Sequence, residues 1–70
     1  MFSISLRNAD HTRKYSIAPL NPSGWEVTRE QEGELTRHVY YDWHRVERAL
    51  ALFQREVGQL TARGWRETQA

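Results

Sequence analysis

Residues 41–65 read YDWHRVERALALFQREVGQLTARGW, and the reading of this stretch decides the fold. Trp43, Val46, Leu50, Phe53, Val57 and Leu60 recur at spacings of three, four, three, four and three, and Ala49 widens the stripe. An α-helix turns once per about 3.6 residues, so these side chains share one apolar face over about six turns. Each end carries a stop signal. Asp42 stands where an N-cap belongs, its carboxylate placed to accept from the free backbone N–H of His44 or Arg45. Tyr41 and Val46 occupy the N′ and N4 positions of a hydrophobic staple. Gly64 is placed for the left-handed C′ residue, and Trp65 for the C″ residue whose apolar contact with Leu60 completes a Schellman cap. Gly58, inside the helix, costs about 0.5–1 kcal/mol relative to Ala and predicts a strand or ring approaching closely there. Leu52 lies at the edge of the stripe.

Upstream the period changes to two. Phe2, Ile4 and Leu6 alternate with Ser3, Ser5 and Arg7, and Tyr15 and Ile17 alternate with Lys14 and Ser16. Such alternation is that of half-buried strands. Trp25, Val27 and Arg29 form a third alternating set. A fourth has Leu35, Val39 and Tyr41 on the inner face with Arg37 among them, and Thr36, His38 and Tyr40 opposite. Turn residues separate the strands: residues 8–11, Asn21-Pro22-Ser23-Gly24, and Glu32-Gly33-Glu34. The expectation is a single small α+β domain over residues 1–70. It is a four-stranded antiparallel sheet, ββββα, with one long C-terminal amphipathic helix packed on one face. Its Ser- and Thr-rich face looks outward. Trp25 and Trp43 fall at core-facing positions.

A chain of 70 residues without cysteine has neither disulfides nor thiolate metal sites to support a small core. Three Trp, three Tyr and two Phe must do more of that work. Ten basic and nine acidic side chains leave a formal charge of +1, which argues against a nucleic-acid binder driven by bulk charge. No apolar run approaches membrane-spanning length and no signal-peptide layout opens the chain, so a cytoplasmic protein is expected.

Asp42-Trp43-His44-Arg45-Val46-Glu47, with Gly24-Trp25-Glu26-Val27 before it and Gly64-Trp65 after it, resembles a group of small proteobacterial proteins over nearly the whole chain. That resemblance implies no activity. The order Trp25-x-Val27, glycine turn, strand, acidic cap, Ala49, Phe53, Leu60 and Gly64-aromatic is similar to the WGR domain. WGR domains occur in some poly(ADP-ribose) polymerases and in bacterial proteins, and the similarity implies participation in nucleic-acid binding. Arg29-Glu30-Gln31-Glu32-Gly33-Glu34 stands where that family carries its Trp-Gly-Arg triplet.

No catalytic constellation is legible: there is no nucleophile elbow and no glycine-rich phosphate loop. His44 and Glu47 lie three apart near Asp42, but Asp42 is committed to capping and His44 points about 160° from Val46. No metal or cofactor is therefore expected. Arg45, Arg48, Arg55 and Arg63 project from one broad side of the helix. A solvated face explains them first, and a stripe contacting phosphates or a partner is the alternative. The expected function is a non-catalytic protein-interaction or self-association module, with a nucleic-acid accessory role using these arginines as the alternative. A homodimer formed by strand pairing or strand exchange is expected at the sheet edges, near Ile4 and near Ile17 or Val39.

Overall fold

The computed structural model describes residues 2–68. Strands β1 (Phe2–Asn8), β2 (His11–Pro19), β3 (Trp25–Gln31) and β4 (Glu34–Tyr40) lead into helix α1 (Trp43–Ala62), and a short strand β5 (Arg66–Thr68) follows it. The antiparallel sheet has the order β4-β3-β2-β1-β5. The expected α+β arrangement of a sheet with one helix across it is present, with one strand more than the sequence shows. β5 has three exposed residues, too few for an alternation to register, and it pairs Leu6 with Glu67 on the outer side of β1. The sheet edges are therefore β4 and β5, and Ile4 lies on an interior strand.

The helix terminates as its local sequence dictates. Asp42 Oδ1 accepts from the His44 N–H at 3.0 Å. At the other end the Trp65 N–H donates to Leu60 O at 3.0 Å and the Gly64 N–H to Thr61 O at 3.1 Å, with Gly64 at φ +99°. This pair of bonds is the Schellman pattern. Trp65, half-buried, then lies under the Arg13 guanidinium, 5.3 Å from ring to charge, and the chain reverses into β5. Tyr41 does not close a staple on Val46. It is 74% exposed, with its ring over Gly24, whose φ of +97° and missing Cβ leave room for it. Gly58 admits no close neighbour either: a Cβ there would meet nothing within 4 Å.

Leu6, Tyr15, Ile17 and Val27 from the sheet and Val46, Phe53 and Leu60 from the helix make the buried core. The three helix residues are seven apart, a two-turn repeat that marks the line along which α1 touches the sheet. Phe53 sits between Phe2 (6.4 Å between centroids) and Tyr15 (4.9 Å). Trp43 departs from the core-facing expectation. It is 43% exposed and leans on Trp25 at the sheet end, centroids 5.3 Å apart.

The largest correction concerns β4. Glu32 and Gly33 both have positive φ (53° and 84°), the signature of a two-residue type I′ hairpin turn, and they pair Gln31 with Glu34. That register places Thr36 opposite Arg29, His38 opposite Val27 and Tyr40 opposite Trp25. Thr36, His38 and Tyr40 therefore share the helix side, while Leu35, Arg37 and Val39 point outward, the reverse of the alternation-based assignment. A slip of one residue inverts every side chain, and here turn geometry, not hydrophobicity, chose the face. Leu35 is 65% exposed and Val39 38%, and Arg37 makes an ion pair with Glu26 on the neighbouring strand.

Candidate functional site

Helix α1 runs antiparallel to β4. Its first turn meets Trp25 and its middle is tied to Arg29. Its end reaches Trp65, beside Arg13 at the opposite end of β2. The core line of Val46, Phe53 and Leu60 draws the helix toward the middle of the sheet. On the inner face of β4 only Tyr40, at the end that leads into the helix, packs against the core, while Thr36 and His38 stay exposed. An open groove of about 500 Å³ separates the two elements. Val27, Arg29 and Phe53 form its floor. Thr36, His38 and Tyr40 form the strand wall, and Arg45, Arg48, Ala49 and Leu52 the helix wall.

The electrostatics of this groove are one-sided. Among the described residues no carboxylate lines it. Glu56, one turn beyond Leu52 on the helix, is turned into the interior. It accepts from Arg29 Nη2 through both oxygens, at 2.7 and 2.8 Å, and from the Tyr15 hydroxyl at 2.9 Å. Arg29 is thereby held in place, while its Nε is enclosed without a hydrogen-bond partner among the described residues. Arg45 and Arg48 are exposed and take part in none of the ion pairs found among the described residues. They lie three residues apart on one face, where like charges repel by a few tenths of a kcal/mol. His38 and Tyr40 stack along β4 with centroids 5.9 Å apart and ring planes 12° from parallel.

The four arginines read as one stripe therefore separate. Arg45 and Arg48 line the groove, whereas Arg55 is exposed outside its lining and Arg63 is the helix C-cap residue at the far end. Arg29, His38, Tyr40 and Leu52 join the site, and little in the residue pattern announces them. Arg29 reads as the continuation of a strand pattern, and hydrophobic alternation puts His38 and Tyr40 on the opposite face from the one they occupy. Leu52, 45% exposed, did stand off the core stripe, and that offset is the one signal that pointed here. Near the helix start, Asp42 is occupied by its cap, and no group of three or more His, Cys, Asp or Glu suited to a metal occurs among the described residues. No helix among the described residues is long and apolar enough to cross a membrane.

Chemically, the groove offers an apolar floor, two unpaired guanidinium groups on one rim and the unpaired edge of a strand on the other. Such a surface can pair with an extended backbone and with negative charge. No protein-family model, curated protein or solved structure matches the chain.

Proposed function

We propose that this protein is a non-catalytic protein-interaction module whose partner adds as a strand to the free edge of β4 and lays alternate side chains into the β4–α1 groove. One observation carries the reading: β4 is a seven-residue strand paired on one side only, and its inner face as far as His38 is left open by the helix. An unpaired strand supplies a row of backbone donors and acceptors, and an adjoining groove supplies side-chain selectivity. The test is positional cross-linking in the cell of origin. A photoreactive residue at Leu52 should give discrete protein adducts, and the same residue at Lys14, on the outward face of interior strand β2, should not. Adducts formed from Lys14 and not from Leu52 would overturn the proposal.

Self-association is the second reading, and Leu35 and Val39 favour it. Antiparallel pairing of two β4 strands about Arg37 sets Leu35 of one copy opposite Val39 of the other and covers two apolar side chains now in water. Sedimentation equilibrium measures it directly.

A further inference from the structure

We infer that the occupant of this groove is an acidic extended segment, running antiparallel to β4, that presents a carboxylate and then, two residues later, an aliphatic side chain. The inference rests on the strand-addition reading and specifies the partner's chemistry.

Three features on the groove wall set the pattern. Arg45 and Arg48 form a cationic pair on a groove that no carboxylate lines among the described residues; Asp42 and Glu47 border the same arginines on their other side and make no ion pair with them. Leu52 follows on the same wall, largely uncovered. From the middle of the arginine pair to Leu52 the helix rises about 8 Å, at about 1.5 Å per residue. Successive same-face side chains of an extended strand are about 7 Å apart. A strand beside β4 thus sets one inward side chain against the arginines and the next against Leu52. The order follows from direction. The helix starts where β4 ends, so an antiparallel strand passes Arg45 and Arg48 first and Leu52 second. Antiparallel addition continues the pairing found throughout this sheet, which is also the slightly more stable kind.

Charge decides between occupants. A second copy paired through β4 about Arg37 brings Glu34, Thr36, His38 and Tyr40 to the groove side, with Glu34 opposite Tyr40. It also brings another Arg45 and Arg48, two cations for that one carboxylate, and follows Glu34 with Thr36 rather than an aliphatic side chain. Single-stranded nucleic acid would satisfy the arginines and stack on His38, but phosphates leave the backbone edge of β4 unpaired. An acidic peptide satisfies both, and the apolar surroundings strengthen each carboxylate–guanidinium contact relative to bulk water.

The probe is the capped peptide acetyl-Ser-Thr-Glu-Thr-Val-Thr-Ser-amide, titrated into the isotope-labelled protein while backbone amide shifts are followed. The comparison peptides replace Glu by Gln or by Lys, or reverse the order to Val-Thr-Glu. The Glu peptide should move β4 amides and those around Leu52, and bind at least tenfold tighter than the Lys peptide and severalfold tighter than the reversed one. The Arg45→Glu/Arg48→Glu variant should invert the Glu-over-Lys preference. Both side chains are exposed, and an unchanged thermal melt of the variant establishes that it is folded. If Gln and Lys peptides move β4 as strongly as the Glu peptide, strand addition stands and the acidic assignment falls. If no peptide moves β4 amides, the strand-addition reading falls with it. Tighter binding of an oligothymidylate probe in the same groove than of the Glu peptide overturns the inference in favour of a phosphate-reading site.

Discussion

The Tyr15 hydroxyl donates to Glu56 Oε2 at 2.9 Å, joining residues 41 apart in the chain across the sheet–helix interface. Arg29 reaches the same carboxylate from β3, so one side chain on α1 holds two strands at a set distance from the helix. That distance sets the width of the groove. Glu56→Ala should lower stability by about 1–3 kcal/mol, because it leaves both Tyr15 and Arg29 without their acceptor in a partly enclosed site. Tyr15→Phe should cost less, since Glu56 keeps Arg29. Equilibrium urea unfolding of the two variants gives the order, and equal losses would show that the tyrosine bond carries the connection alone.

The same residue makes stability fall in alkali. Burial first, and then the hydrogen bond to Glu56, raise the Tyr15 phenol above its ordinary value, against an opposing influence of Arg13. The folded state therefore keeps the proton to higher pH than the unfolded chain does. Stabilisation from this source is complete below about pH 10, the ordinary tyrosine value, and is lost as pH rises through the folded-state value. Melting temperatures measured from pH 8 upward should decline above pH 10 in the wild type and decline less in Tyr15→Phe. Parallel curves would remove Tyr15 as the cause.

Two glycines should respond to the same substitution with opposite signs. A Cβ at Gly58 or at Gly64 meets nothing within 4 Å, so space does not distinguish them. Backbone conformation does: Gly64 has φ +99°, and Gly58 lies inside the helix. Gly58→Ala should stabilise by about 0.5–1 kcal/mol through helix propensity. Gly64→Ala should destabilise by about 1–2 kcal/mol, the cost of forcing a side chain into the left-handed region. Thermal denaturation of both proteins is sufficient, and a destabilised Gly58→Ala would mean that something packs on that face after all.

What was legible in the sequence tracks the range of the interaction. Asp42 and Gly64 act on backbone within a few residues of themselves, and their roles can be read from neighbours alone. Phe2 to Leu6 and Tyr15 to Ile17 show their faces because both strands lie under the helix. β4 does not, since the helix covers only its Tyr40 end. There, hydrophobic alternation carries no burial information, and the Glu32-Gly33 turn alone sets the register. β5 is held by the direction in which the Schellman turn releases the chain, a tertiary effect invisible in Arg66-Glu67-Thr68. The groove exists only because α1 is displaced from β4. For that reason Arg45 and Arg48 could be noticed as charges, but their grouping with His38, Tyr40 and Leu52 could not.

The register of β4 makes a sharp contrast between two apolar residues. Phe53→Ala removes a ring that fills the space between Phe2 and Tyr15 and should cost about 3–5 kcal/mol, enough to unfold much of so small a protein. Leu35→Ala should change stability by no more than about 0.5 kcal/mol, because its side chain is in water on the outward face. The inward alternation would instead give Leu35 a core-sized loss of about 2–5 kcal/mol. Circular dichroism of the two variants through a urea titration separates these outcomes.

Self-association through β4 should strengthen as salt is added. Pairing two β4 strands about Arg37 favours association by covering Leu35 and Val39, yet it brings both helices to the same face of one continuous sheet. Two sets of Arg45 and Arg48 then approach each other against a single Glu34 from each copy on that face, and the excess of positive charge opposes what the apolar contacts favour. Screening shortens the range of that repulsion from about 10 Å at 0.1 M salt to about 3 Å at 1 M, and apolar contacts lose nothing over the same interval. In sedimentation equilibrium at micromolar concentration the protein should be mostly monomer at low salt, with the dimer fraction rising toward 1 M sodium chloride. The melting temperature should become concentration-dependent only in the high-salt condition, as mass action requires of a dimer linked to folding. Val39→Lys should suppress the dimer at every salt concentration by placing a charge opposite Leu35 of the second copy. A dimer already complete at low salt, or one that dissociates as salt is added, would show that the arginines do not oppose pairing and would make a second copy the first occupant of the β4 edge.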